Sequence, residues 1–141
     1  MTSSVVTEWS EIFLGNTSTA SITACTIQYN YRILTLYRKL VRDMTEAQLP
    51  EGLVPDIAPE FVPFVGGFRD SPEWGSAAVI LPWQLYEWYG DRETMADAYP
   101  MMRRYVDYLA TKADGHILSH GLGDWYDLGP RGPGEAQLTP K

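Results

Sequence analysis

The chain has 141 residues with 45% hydrophobic and 13% aromatic content, enough for one domain with a core of its own. Its net charge of −7 and pI near 4.7 give a surface that repels phosphate backbones, which argues against nucleic acid as a partner. Cys25 is the single cysteine, so an internal disulfide and a Cys-x-x-Cys metal motif are excluded, and no apolar run reaches the length of a membrane span.

Residues 1–19 carry no basic n-region and no continuous apolar h-region, so no signal peptide is read and a cytoplasmic location is the default expectation. Val5, Val6, Trp9, Ile12, Phe13 and Leu14 suit a short amphipathic helix. Gly15 and the polar run Asn16-Thr17-Ser18-Thr19 would end it. Over residues 20–47 the pattern predicts one continuous helix, the longest in the chain. Ile33, Leu36, Tyr37, Leu40, Val41 and Met44 recur at steps of three and four, and no Pro or Gly interrupts them.

Residues 49–69 break the regularity. Pro55, Pro59 and Pro63 fall four apart and rule out a regular helix, while Leu53, Val54, Ile57, Phe61, Phe64 and Phe68 suggest a loop that packs down. Ser71 is the expected cap of the next helix and Pro72 its first residue. The run Ala77 to Tyr89 is apolar on nearly every side, which predicts burial on several faces, with Pro82 inside it and Gly90 ending it. Asp91 is expected to cap a short helix over residues 92–99, and Pro100 to start another. Met101, Met102, Tyr105, Val106 and Leu109 mark its inner stripe, and Arg103, Arg104, Asp107 and Lys112 its wet side. Gly115 should end it, and residues 116–120 read as a short extended piece. His116 and His120 are four apart, which suits a metal only on a helix; Gly115 and Gly121 bracket them too closely for that. No metal or other cofactor is expected. The chain therefore reads as all-α: helices joined by Gly/Pro-rich connections.

Two short segments share one chemistry. Asp70 and Glu73 flank Trp74, and Asp124 and Asp127 flank Trp125, each in a glycine-containing setting. Carboxylates that accept hydroxyl hydrogen bonds, beside a ring that covers an apolar C–H face, suit a sugar. The plainer explanation is a pair of helix caps with buried indoles.

Several motifs in order resemble the catalytic domain of bacterial α-L-rhamnosidases. They are Gly52-Leu53-Val54-Pro55-Asp56-Ile57-Ala58-Pro59, Asp70-Ser71-Pro72-Glu73-Trp74-Gly75-Ser76-Ala77, Ile80-Leu81-Pro82-Trp83 with Tyr89-Gly90-Asp91, Tyr99-Pro100-Met101-Met102 with Tyr105-Val106-Asp107-Tyr108-Leu109, and Gly123-Asp124-Trp125-Tyr126-Asp127. The resemblance implies an (α/α)6 barrel, of which residues 20–141 would be a part and residues 1–19 a divergent N-terminal segment. It implies inverting hydrolysis of terminal α-L-rhamnosides, with L-rhamnose-containing carbohydrate as the partner and a pocket lined by Trp74 and Trp125. Asp70, Glu73, Asp124 and Asp127 would stand beside those rings as binding residues. The family's general acid falls on or near Ile12, with Glu11 one residue off, and its general base lies beyond Lys141. No catalytic residue is therefore assigned within the chain, and a piece inactive by itself is expected. The open alternatives are another (α/α)6 glycosidase using Asp124 or Asp127, and a non-catalytic helical interaction module. In either frame the exposed hairpin faces would allow self-association.

Overall fold

The computed structural model describes residues 26–122. Its elements are α1 (Leu34–Ala47), a 3₁₀ turn (Gly66–Phe68), α2 (Pro72–Gly75), α3 (Ala77–Tyr89) and α4 (Arg92–Lys112). The only β pairing among the described residues is an isolated bridge between Asp114 and Ile117. The predicted helix over residues 5–14 lies outside the described residues.

The long helix predicted over residues 20–47 is shorter: among the described residues, one helical turn at 26–28 is followed by a break, and α1 begins at Leu34. The break has local causes. The Asn30 side chain donates to the Thr26 carbonyl at 3.2 Å, competing with helix propagation. Asn30 and Tyr31 both send their N–H groups to the Ile27 carbonyl, and the Ile33 N–H goes to the Tyr89 hydroxyl at 3.3 Å. From there the expected stripe holds: Ile33, Tyr37, Leu40, Val41 and Met44 are buried, while Leu36 is partly exposed.

α4 is the longest helix, and it runs through Pro100 rather than restarting there. Pro100 and Ala96 both lie on the exposed side, so the carbonyl left without a partner by the missing N–H faces water. The buried stripe is Ala98, Met101, Tyr105 and Tyr108, spaced three, four, three; Val106, expected inside, is 51% exposed. α3 also departs from expectation. Ala77, Ala78, Leu81 and Leu85 are buried, but Ile80 and Trp83 are 41% and 49% exposed, so one side of this greasy helix is open. Gly90 ends α3 in the left-handed region at φ 66°, as a helix stop requires.

α3 and α4 form a hairpin, since only Gly90 and Asp91 separate them and the two pack together. α1 packs on both. Arg38 meets Asp91, Gln48 donates to the Met101 carbonyl, and Arg104 donates to the Leu49 carbonyl. The near-constant sequence offset in these pairs means that α1 runs in the same direction as α4.

Asp91 is the joint of the hairpin. Its carboxylate accepts from the Thr94 N–H at 3.2 Å and the Thr94 hydroxyl at 2.7 Å, and takes a two-pronged contact from Arg38 at 2.7 and 2.9 Å. The Arg38 hydrogen bond holds its pKa down at about 2 despite burial. Asp91→Ala removes the cap and leaves Arg38 without its partner. A loss of about 2–3 kcal/mol is expected in urea unfolding; a change below a few tenths would show that Asp91 is not the joint.

The connection over residues 49–69 splits in two. Leu53, Val54, Asp56 and Ala58 are buried. Phe61, Val62, Phe64, Val65 and Phe68 are exposed, contrary to the expectation that the whole loop packs down. Polar contacts fix the base of this outer part. Arg69 grips Glu60 at 2.7 and 2.8 Å, and the Asp56 N–H donates to the Arg69 carbonyl at 3.2 Å.

Candidate substrate site

At the end of the hairpin opposite Asp91, three segments converge: the start of α2, the last turns of α4 and residues 120–122. α4 spans roughly 30 Å, so the two ends are chemically independent. Asp70 is the centre of this end. Its Oδ2 accepts the Tyr108 hydroxyl at 2.5 Å and has the Lys112 ammonium 3.6 Å away. Its Oδ1 faces His120 Nε2 at 3.3 Å. A carboxylate offers about four acceptor positions, so these contacts orient the group and still leave it able to receive a hydroxyl. Burial, then the bond to Asp70, pushes the Tyr108 phenol well above its usual range, so Tyr108 stays a neutral donor. Lys112 also lies over the Tyr108 ring, 5.3 Å from its centre.

Ser71 stands at the helix N-cap as expected, and Pro72 at the first helical position, but the serine hydroxyl does not cap. It donates to the Gly67 carbonyl at 2.6 Å and accepts the Leu122 N–H at 2.9 Å. The reason is the neighbouring chain. Its own N–H is taken by Asp56 Oδ1 at 3.0 Å, and the hydroxyl is the group that ties residue 122 to the start of α2. Gly121 makes the approach possible. Its φ is +106°, and a Cβ there would come within 2.9 Å of Glu73 Oε2 and 3.0 Å of Ser71 Oγ. The backbone is thus delivered against Ser71 and Glu73 one residue before Gly123.

Of the residues picked out in the sequence, Asp70 is part-buried in the network above, Glu73 is exposed and Trp74 is half-buried on α2. Asp124, Trp125 and Asp127 lie outside the described residues. His116 sits exposed in the turn closed by the Asp114–Ile117 bridge, with φ 70°, while His120 reaches Asp70, so the two histidines have different surroundings.

The sequence reading missed Tyr108, His120 and Asp56 as partners of this end. Tyr108 could have been found from the three-four-three spacing of the stripe on α4. Asp56 is fully buried beside Asp70 and Glu73; burial, opposed by the Ser71 N–H bond, raises its pKa to about 7.

Next to Asp70 lies an open cavity of about 440 Å³, bounded by Leu53, Phe64, Arg69, Lys112, His120 and Gly121. A groove of about 480 Å³ between α1 and the first turns of α4 carries Arg38, Arg42, Glu46, Glu93 and Asp97. Its charges are mixed, and no aromatic side chain lines it to cover a sugar face.

Residues 13–140 match the bacterial alpha-L-rhamnosidase six-hairpin glycosidase domain. The chain belongs to this family. The helical hairpin, the all-α architecture and the resemblance read from the motifs agree with it, and the architecture is part of an (α/α)6 barrel. An alpha-L-rhamnosidase of Streptomyces avermitilis is 32% identical over 127 residues, covering 89% of this chain and 12% of the relative. One from Alteromonas sp. (strain LOR) is 32% identical over 124 residues, covering 86% and 13%. The crystal structure of the Streptomyces avermitilis rhamnosidase complexed with L-rhamnose superposes with a TM-score of 0.71 at 33% identity, covering 86% of this chain and 12% of that one. The structure of a rhamnosidase from Dictyoglumus thermophilum gives 0.70 at 29% identity, covering 79% and 12%. The chain thus spans about an eighth of the length of these rhamnosidases.

Proposed function

We propose that this chain supplies one wall of the sugar pocket of an inverting α-L-rhamnoside hydrolase and does not turn over substrate alone. The observation that carries the reading is the bond from the Leu122 N–H to Ser71 Oγ at 2.9 Å. It brings the chain that leads into Gly123-Asp124-Trp125 against the segment bearing Asp70, Glu73 and Trp74, which supports a single hollow between the two tryptophans. In it the indoles would face the C6 methyl and C–H surfaces of rhamnose, and the carboxylates of Asp70, Glu73, Asp124 and Asp127 would receive its hydroxyls. Inversion needs an acid at the leaving oxygen and a base across a water-sized gap; neither role is given to a residue of this chain.

Two measurements test this together. L-rhamnose should change the chain's tryptophan fluorescence at saturable concentration, and Trp74→Ala or Trp125→Ala should weaken that binding about tenfold. Incubation with 4-nitrophenyl α-L-rhamnoside should release no nitrophenol. A chain that ignores rhamnose would remove the pocket, and turnover that survives both Glu11→Gln and Glu73→Gln would show that the roles have been misallocated.

A further inference from the structure

We infer that the cavity beside Asp70 receives the leaving-group side of the glycoside and selects for an aromatic aglycone; this rests on the rhamnoside reading above. Three observations carry it. The first is position. Asp70 lines the cavity and begins the segment that leads to Glu73 and Trp74, so a sugar held by those residues has this space as its neighbour.

The second is the character of the rim. Phe64 is 38% exposed and Val65 83% exposed, and both border the cavity. Large apolar side chains held open to water at the edge of a recess are suited to covering a flat apolar ligand face. They are also held firmly. The 3₁₀ turn that follows them is closed by the Arg69 and Asp70 N–H groups on the Gly66 carbonyl at 3.0 and 3.1 Å, and the Ser71 hydroxyl grips the Gly67 carbonyl. A rim fixed in this way loses little freedom when a ring docks.

The third is the charge inside. Arg69 is occupied by Glu60, whereas Lys112 spends one direction on Asp70 at 3.6 Å and is 43% exposed. An ammonium has three donors. Lys112 therefore offers a donor to a phenolic or other oxygen on the ring, with the phenylalanine covering the ring face. A small aliphatic aglycone would reach neither group.

The test is an NMR titration of the whole chain with 4-nitrophenyl α-L-rhamnoside and, separately, methyl α-L-rhamnoside. The aryl glycoside should bind about five- to tenfold more tightly and should shift the Gly66, Gly67 and Gly121 amides. Phe64→Ser should bring the affinity ratio between the two glycosides close to one; Val65→Ser, at a more exposed position, should lower it in the same direction. Both side chains are solvent-accessible, and retained amide dispersion checks that each variant is folded. Equal affinity of the unaltered chain for both glycosides, or an aryl preference that survives both substitutions, overturns the aglycone assignment and leaves the sugar reading standing. If neither glycoside binds, both proposals fall.

Discussion

Gly75→Ala should destabilise the chain by about 2–3 kcal/mol, although the change adds one methyl group in a helix. A Cβ at Gly75 would lie 2.2 Å from the Tyr105 hydroxyl oxygen and 2.7 Å from Cζ. Tyr105 cannot swing away: it is 1% exposed, lies on the inner stripe of α4, packs near the Tyr108 ring and shares a hydrogen bond with Ser76. Either α2 must lift from α4 or the phenol must leave its site, and both disturb the end of the hairpin that holds Asp70. Tyr105→Phe supplies the control. Deleting the hydroxyl removes the nearest clash but also the Ser76 bond. The double variant should therefore be less destabilised than the sum of the single ones, a coupling that urea denaturation of all four chains would measure. Strict additivity, or an unaffected Gly75→Ala chain, would mean that α2 and α4 are not in contact there.

Much of the fold was legible because it rests on local rules. Gly90 and Asp91 are a helix stop and a helix start in adjacent positions, and both act as such. The inward stripe of α1 follows from spacing alone. What local rules missed was decided by solvent and by neighbours. Pro100 would interrupt a helix whose affected carbonyl were buried; on the wet side of α4 it is tolerated. The greasy run of α3 reads as buried all round, yet burial depends on which elements stand beside it, and a sequence window contains no information about them. The break before Leu34 came from a side chain, Asn30, competing for a backbone carbonyl, which apolar periodicity does not register.

The candidate site was legible as chemistry and less so as geometry. Asp70, Glu73 and Trp74 were singled out for residue type, and the family match covers the segments that hold them. Ser71 was read as a cap because Ser-Pro-Glu is a strong local helix signal. Its hydroxyl instead joins Gly67 to Leu122, residues four positions before and fifty-one after it. Asp56, embedded in a Pro-rich run, looked like loop surface; only the folding of that run beneath α2 removes it from water.

Lowering the pH from 8 to 5 should stabilise the chain, against the usual behaviour of paired carboxylates, because of Asp56. Its carboxyl is fully buried, and in the folded chain its pKa rises from 3.8 to about 7, chiefly through loss of water, with Asp70 and Glu73 adding repulsion. Between those two values the folded chain keeps a proton that the unfolded chain has released. The stabilising contribution of the neutral carboxyl is thus complete below about 4 and is lost as pH rises through 7. Three units correspond to about 4 kcal/mol as an upper scale. Asp91 acts in the opposite sense at lower pH. Its folded pKa of about 2 gives stability that is present above 3.8 and lost as pH falls through 2. Together they place the most stable range near pH 4 to 5. Asp56→Asn isolates the first effect: the amide oxygen can still accept the Ser71 N–H, and no charge can form. The variant should melt higher than the unaltered chain at pH 8, match it near pH 5, and lose most of the slope between them. Thermal melts at both pH values decide the matter. If the two chains keep the same slope, the buried carboxyl is not the group that responds to pH.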